Sequence, residues 1–338
     1  MLTRLGETRW RWRRIPRQVA AVARTTHIEC MQQPAVLLLT VGGVFATALI
    51  PLLQFHQFGE PGRLARDGAL AYQLTLGLVM AVVATSSAIH AELANGTASA
   101  ALSKPLARGA FLVGKFAGVL RMLFLFWACM LAALLLAERV AYRTGLVDGV
   151  PVDTADPRAQ AWLLLAPPLA LAGAGLLHFL LRLRFCLSAI RLLAGLLAAG
   201  VTAACLFDRA GLWHPSWSNL ALRVVPVSLP ILGALTVFAA LATALATRLR
   251  AGLAMIVCLL VLLLGLSADT LLSPALPPLV RLPARLIPNI QSFWLCDALA
   301  DGGTIGAGYL AALLLYASTA TAAALAAGII AFRNRDIH

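Results

Sequence analysis

The stretch "HAELANGTASAALSKPLARGAFLVGKFAG", residues 90–118, leaves one long apolar run and enters another, and its reading decides what kind of molecule this is. Inside it, Gly109 is followed by four residues and then by Gly114 and Lys115, the skeleton of a phosphate-binding loop. Such a loop wraps phosphates in backbone N–H groups, reaches them with its lysine, and holds magnesium through a Ser or Thr hydroxyl. Here Phe116 stands where the hydroxyl belongs. Phe111, Leu112 and Val113 lead into an apolar segment, and no strand–helix alternation surrounds the motif. The nucleotide reading fails on both counts. Lys115 is instead expected to stretch from the start of an apolar span to the lipid headgroups, its carbon stem lying along the apolar surface.

Outward from this stretch the chain is dominated by apolar residues. Of 338 residues 61% are hydrophobic and 12% charged, with a mean hydropathy of +0.87; a soluble domain cannot cover its surface with so few polar groups. Crossing a bilayer core takes about 20 apolar residues in a helix. Eight stretches qualify, at 35–54, 69–90, 110–137, 161–181, 187–206, 224–247, 251–272 and 306–331. Arg and Lys collect in cytoplasmic loops. With both termini inside, 18 of the 27 basic residues face the cytoplasm against four acids, the outer loops hold nine of each, and Asp269 is left within a span. The spread of arginines over every inner loop argues for orientation and anionic lipid rather than nucleic acid. Six scattered cysteines without a C-x-x-C pair suggest neither a disulfide framework nor a zinc site.

Residues 1–34 are arginine-rich, with Trp10 and Trp12 interleaved and apolar residues at helical spacing from Ile15 to Ala23. They predict an amphipathic helix in the inner headgroup layer, anchored by the two tryptophans. A cleavable leader is the competing reading, but the polar lead is too long and the apolar run continues past Ala48. Ala91–Ser103 predicts a short cytoplasmic helix stopped by Pro105. Residues 138–160 read as a solvated outer loop, and 207–223, with Trp213 and Trp217, as a segment resting at the outer interface. The connection 273–305 carries five prolines and predicts short helices against the outer leaflet.

The 90–118 stretch resembles the ABC-2 type permeases, the membrane subunits of one group of ATP-binding-cassette transporters. The residues that carry the resemblance are Glu92, Gly96, Thr97, Leu102, Ser103, Lys104, Pro105, Leu106, Arg108, Phe111, Gly114 and Lys115; Ala101 departs from the family's usual Leu. A second likeness lies in "IPNIQSFWLCDAL" at 287–299 and the terminal "FRNRDIH". The resemblance implies an all-α integral membrane bundle: a six-helix permease core, here extended to about eight transmembrane helices by a pair near 161–206. It also implies a dimer, of two copies or of paralogues, over separate ATPase subunits that supply ATP and magnesium chemistry, so this chain needs no cofactor and is not itself an enzyme. Residues 91–104 would form the coupling helix, with Glu92, Gly96, Thr97, Ser103, Lys104, Pro105 and Arg108 meeting the ATPase. Export of a substrate, or mechanical work on a periplasmic partner protein, from a bacterial inner membrane is the implied function.

Other residues are candidates on their own chemistry. Asp269 is an intramembrane carboxylate, a functional candidate by default, or a group reaching outer water beside Ser267 and Thr270. Asn289 and Asp297, in the second likeness, are further candidates for an outer-face role. The lone His27-x-x-Cys30 lacks the three or four donors that a metal site needs. Two alternatives from other classes are a membrane-embedded lipid-modifying enzyme, which requires clustered catalytic residues, and a scaffold without energy coupling.

Overall fold

The computed structural model describes residues 2–53, 62–94, 108–141, 144–147, 150–153, 156–273, 277, 287–299 and 303–333. Among these the architecture is helical. In chain order the elements are α1 (Leu2–Met31), α2 (Pro34–Leu49), α3 (Arg63–Ala94) and α4 (Arg108–Val140), then strands β1 (Thr144–Val147) and β2 (Val150–Asp153). There follow α5 (Pro157–Leu181), α6 (Phe185–Leu206), α7 (Val225–Ala246), α8 (Ala251–Leu266), the single turn α9 (Ala268–Leu271) and α10 (Ala307–Arg333). Among the described residues seven segments are long and apolar enough to cross a membrane, and α8 is a shorter apolar helix. The chain is therefore a multi-pass membrane protein.

Seven of the eight expected spans coincide with these segments. The seventh, expected over 251–272, is shorter: α8 stops at Leu266, where Ser267 leaves helical geometry (φ −98°, ψ 16°). Its 16 residues rise about 24 Å at about 1.5 Å each, less than the hydrocarbon core of about 30 Å. Beyond α8 come the single turn α9 and the segment at 288–290, whose Ile290 N–H donates to Gly265 O at 3.1 Å. The expected outer loop at 138–160 contains a small antiparallel hairpin, Thr144 opposite Asp153 and Val147 opposite Val150. The intervening Asp148-Gly149 is a dipeptide favoured in two-residue turns.

Two apolar clusters share α3 and α4. One joins the end of α1 to α2, α3, α4, α5 and α6; the other joins α3 to α7, α8, the 290–299 segment and α10. The most enclosed helices are α7, 67% buried along its span, and α3 and α4, each 61%; α10 is 22% buried. That ordering makes α3, α4 and α7 the core, with α5, α6 and α10 on the rim, where exposed Phe179, Leu180, Leu315 and Ile330 suit lipid. A closed hydrogen-bond circuit fixes the three core helices. Gln73 Nε2 donates to Trp127 O at 3.2 Å, Trp127 Nε1 to Ser228 O at 3.0 Å, and Ser228 Oγ to Gln73 Oε1 at 2.9 Å. Where no water competes, such a satisfied network specifies one packing.

Candidate functional site

Glu92 lies in the last turn of α3 and Arg108 opens α4. Gly96, Thr97, Ser103, Lys104 and Pro105, and most of the expected 91–104 helix, lie outside the described residues. What the structure defines is the root from which that segment springs. Helices α3 and α4 pack on each other, so residues 95–107 join two neighbouring helix ends. Ile89 of α3, Leu112 of α4 and Ala246 of α7 form one buried cluster, with Ile329 of α10 against it. Phe111 stacks on Phe332 at 6.1 Å between ring centres. Gly328 allows the close approach of α10 to α7: a Cβ there would stand 2.9 Å from Ala244 Cα. Four helix ends thus meet in one packed knot.

A fifth helix is clamped to the same root. Gly114 and Gly118, one turn apart on α4, open a groove into which α1 settles; a Cβ at either would lie 2.7 Å from Val22 Cβ or 2.6 Å from Thr26 Cβ. Small residues at this spacing let helix backbones approach closely. Lys115 stands between the two glycines, and here the expectation of a lysine reaching the headgroups is corrected. It is 2% exposed, its Nζ 3.3 Å from Glu29 Oε2 and 5.8 Å from the centre of the Phe111 ring. The reason is physical: α1 covers the position and brings a carboxylate, and a covered ammonium is stable only when paired. Trp10 and Trp12 lie within α1. Just past α1, Gln33 Nε2 donates to Ser87 Oγ of α3 at 2.6 Å.

The His27-x-x-Cys30 pair belongs to this dock. Burial, then the charges of Arg121 and Arg191, lowers the His27 pKa from its ordinary 6.5. Burial pushes the Cys30 thiol up to about 12, so it stays protonated. Among the described residues no group of three His, Cys, Asp or Glu side chains converges to hold a metal.

The opposite end of the bundle carries the remaining candidates. Asp269 is exposed in α9, the single turn that follows α8. Asn289 Oδ1 accepts from Ser292 N–H at 3.2 Å and its backbone N–H donates to Tyr316 Oη at 2.9 Å, tying the 288–293 turn to α10. Asp297 is solvent-facing, 3.7 Å from Arg63. These three do not come together through a hydrogen bond or ion pair among the described residues. The residues that do are ones the sequence did not single out. Arg139, 4% exposed, has Nε 2.6 Å from Asp156 Oδ2 and donates to the carbonyls of Phe207 (2.7 Å), Ala204 and Asn219. Asp156 also caps α5 by accepting from the N–H groups of Arg158 and Ala159 at 3.1 Å. Arg139 therefore staples the start of α5 and the end of α6 to α4. Glu138 beside it is buried and pairs with Arg223 at 3.1 Å. The one sequence signal was Asp156-Pro157, an N-cap followed by proline at the first helical position.

The arrangement is a packed knot of helix ends at one end of the bundle and an ionic staple at the other. In comparisons with known proteins, residues 19–176 match the family model described as ABC-2 family transporter protein, consistent with an ABC-2 type permease. No curated protein matches the chain. The matched region runs from the α1 dock through 90–118 and into α5, so the first helix of the pair expected as an addition, 161–206, lies largely inside it.

Proposed function

We propose that the chain is a membrane permease component of the ABC transporter class, a reading supported by the match of residues 19–176 to the ABC-2 family transporter protein model, and that it works as follows. The arginine-rich end faces the cytoplasm. A separate ATP-binding-cassette ATPase docks on residues 91–104, where Glu92, Lys104 and Arg108 offer charges of both signs and Gly96 and Thr97 allow close approach. Closure of the ATPase pair pushes this segment, and the push is delivered to α3 and α4 together.

The single observation that supports this reading is the convergence at the segment's root. Ile89, Leu112, Ala246 and Ile329 pack as one unit, and the Lys115–Glu29 pair carries the same unit into α1. Packed cores respond as bistable bodies rather than by continuous deformation, so displacement of 95–107 moves five helices at once. The moving bundle exports a substrate, or passes work to a periplasmic partner, in a dimer of two permease chains in a bacterial inner membrane. The ATPase chemistry resides in the partner, and this chain supplies no catalytic group to it.

The test is co-purification. Glu92→Gln with Lys104→Ala should leave the permease folded and reduce recovery of an ATPase subunit from native membranes by about tenfold or more, as expected when charge-assisted contacts are removed. Undiminished recovery and unchanged ATP turnover would refute the assignment.

A further inference from the structure

Two cavities adjoin at the end of the bundle opposite the coupling root, and they differ in character. The larger, about 520 Å³, lies between the end of α4, the start of α5 and the end of α6, with a mostly apolar wall that includes Leu136, Trp162, Ala199, Gly200 and Ala203. The smaller, about 340 Å³, is mostly polar and includes Arg209, Ser218, Asn219 and Arg223. Arg139 and Asp208 line both, so the two chambers meet across those side chains. Small-molecule sites typically occupy roughly 300–1,000 Å³, apolar with a few placed polar groups.

The local sequence builds this shape. Gly200 makes room for the Trp162 ring, since a Cβ there would lie 2.4 Å from Trp162 Cδ1, and Trp162 Nε1 donates to Leu196 O at 2.9 Å, which holds the ring as a wall. Gly211 adopts φ +80° and lets the Arg158 guanidinium lie across the backbone at the mouth. Leu212, Trp213 and Trp217, which follow Gly211 in the chain, are exposed, and Trp213 meets the lining residue Phe207 edge to face at 5.4 Å. Tryptophans of this kind settle at the membrane–water boundary, which brings the polar chamber to headgroup depth and the apolar one alongside the acyl chains.

Charge selects the occupant. Among the described lining residues the chambers hold four arginines (139, 158, 209 and 223) against three carboxylates (Glu138, Asp156 and Asp208). Asp156 is committed to Arg139, and Glu138 to Arg223. The described lining carries a net charge of +1. We propose that the paired cavities bind a single anionic amphiphile, a membrane lipid with one negative charge on its head, its acyl chain in the apolar chamber and its head among the arginines. The inference rests on the membrane reading and not on coupling to an ATPase.

The full-length chain, delipidated in detergent, is titrated with phosphatidylglycerol or phosphatidylcholine of identical acyl chains and examined by native mass spectrometry. One phosphatidylglycerol should remain bound at collision energies that strip the rest, and phosphatidylcholine should bind about tenfold more weakly, the value of one charge-assisted contact. Ala203→Phe, which fills the apolar chamber from an exposed position on α6, should abolish the retained lipid; Ala199→Leu on the same wall gives a second route should the first fail to fold. Arg158→Gln should level the preference between the two lipids. Equal retention of both lipids, or retention unaffected by filling the chamber, would mean annular lipid only and overturn the proposal. Because ATPase co-purification is not read here, failure of the lipid site and failure of the coupling account are separable.

Discussion

Gly118→Val tests the α1 dock most sharply. An added Cβ at residue 118 would stand 2.6 Å from Thr26 Cβ and 2.8 Å from Ala23 O. The first contact can relax by a side-chain rotation, but the second is backbone of α1 and can be relieved only by moving the helix. Overpacking of this sort costs about 1–3 kcal/mol, from which valine's better helix propensity recovers a few tenths. The Lys115–Glu29 pair, 3.3 Å apart, would be stretched in the same displacement. Hydrogen exchange on the full-length protein should therefore show the amides of residues 19–31 losing protection by roughly 5–150-fold, the factor corresponding to that energy. Gly175→Val is the control, since nothing lies within 4 Å of a Cβ there. Unchanged protection in Gly118→Val, or equal loss in both variants, would refute the close helix approach.

Two further outcomes follow from the ionisable groups. Asp156→Ala removes the partner of a buried Arg139 and the cap of α5 at once; it should cost about 3–5 kcal/mol, read as a lowered melting temperature in detergent, and combining it with Arg139→Met should recover part of the loss. His27 carries a pKa below its ordinary 6.5 in the folded protein, so the unfolded chain binds its proton first as pH falls. Stability of the α1 dock is then full above about pH 6.5 and declines below it with a slope of at most about 1.4 kcal/mol per pH unit; His27→Gln should flatten the profile measured by exchange at residues 19–31.

Much of the fold was legible because lipid leaves few options: a long apolar run must satisfy its backbone internally, and helix is the solution. Val225–Ala246 falls within one residue of its expected bounds. The seventh span deviates because composition does not register Ser267 ending the helix and the 288–290 segment folding back to Gly265. The candidate site was less legible. Nothing local marks Glu29 as the partner of Lys115, 86 positions away, or Asn219 as an acceptor for Arg139, 80 away. Charges meet there through tertiary packing, which periodicity does not encode. A usable signal did exist in Gly114-x-x-x-Gly118, whose spacing announces close helix contact; read as part of a failed phosphate loop, it pointed Lys115 toward lipid instead of toward α1.

In the proposed mechanism, force enters through residues 95–107 from a separate ATPase. The most direct measurement of this is site-specific photocrosslinking in intact cells from Thr97, with Arg209 at the other end of the bundle as the reference position. The account predicts a crosslink from Thr97 to an ATP-binding-cassette ATPase subunit, strengthened when ATP hydrolysis is blocked, and none to that subunit from Arg209. An ATPase crosslink from Arg209 alone, or ATP hydrolysis by the purified chain with no partner present, would contradict it.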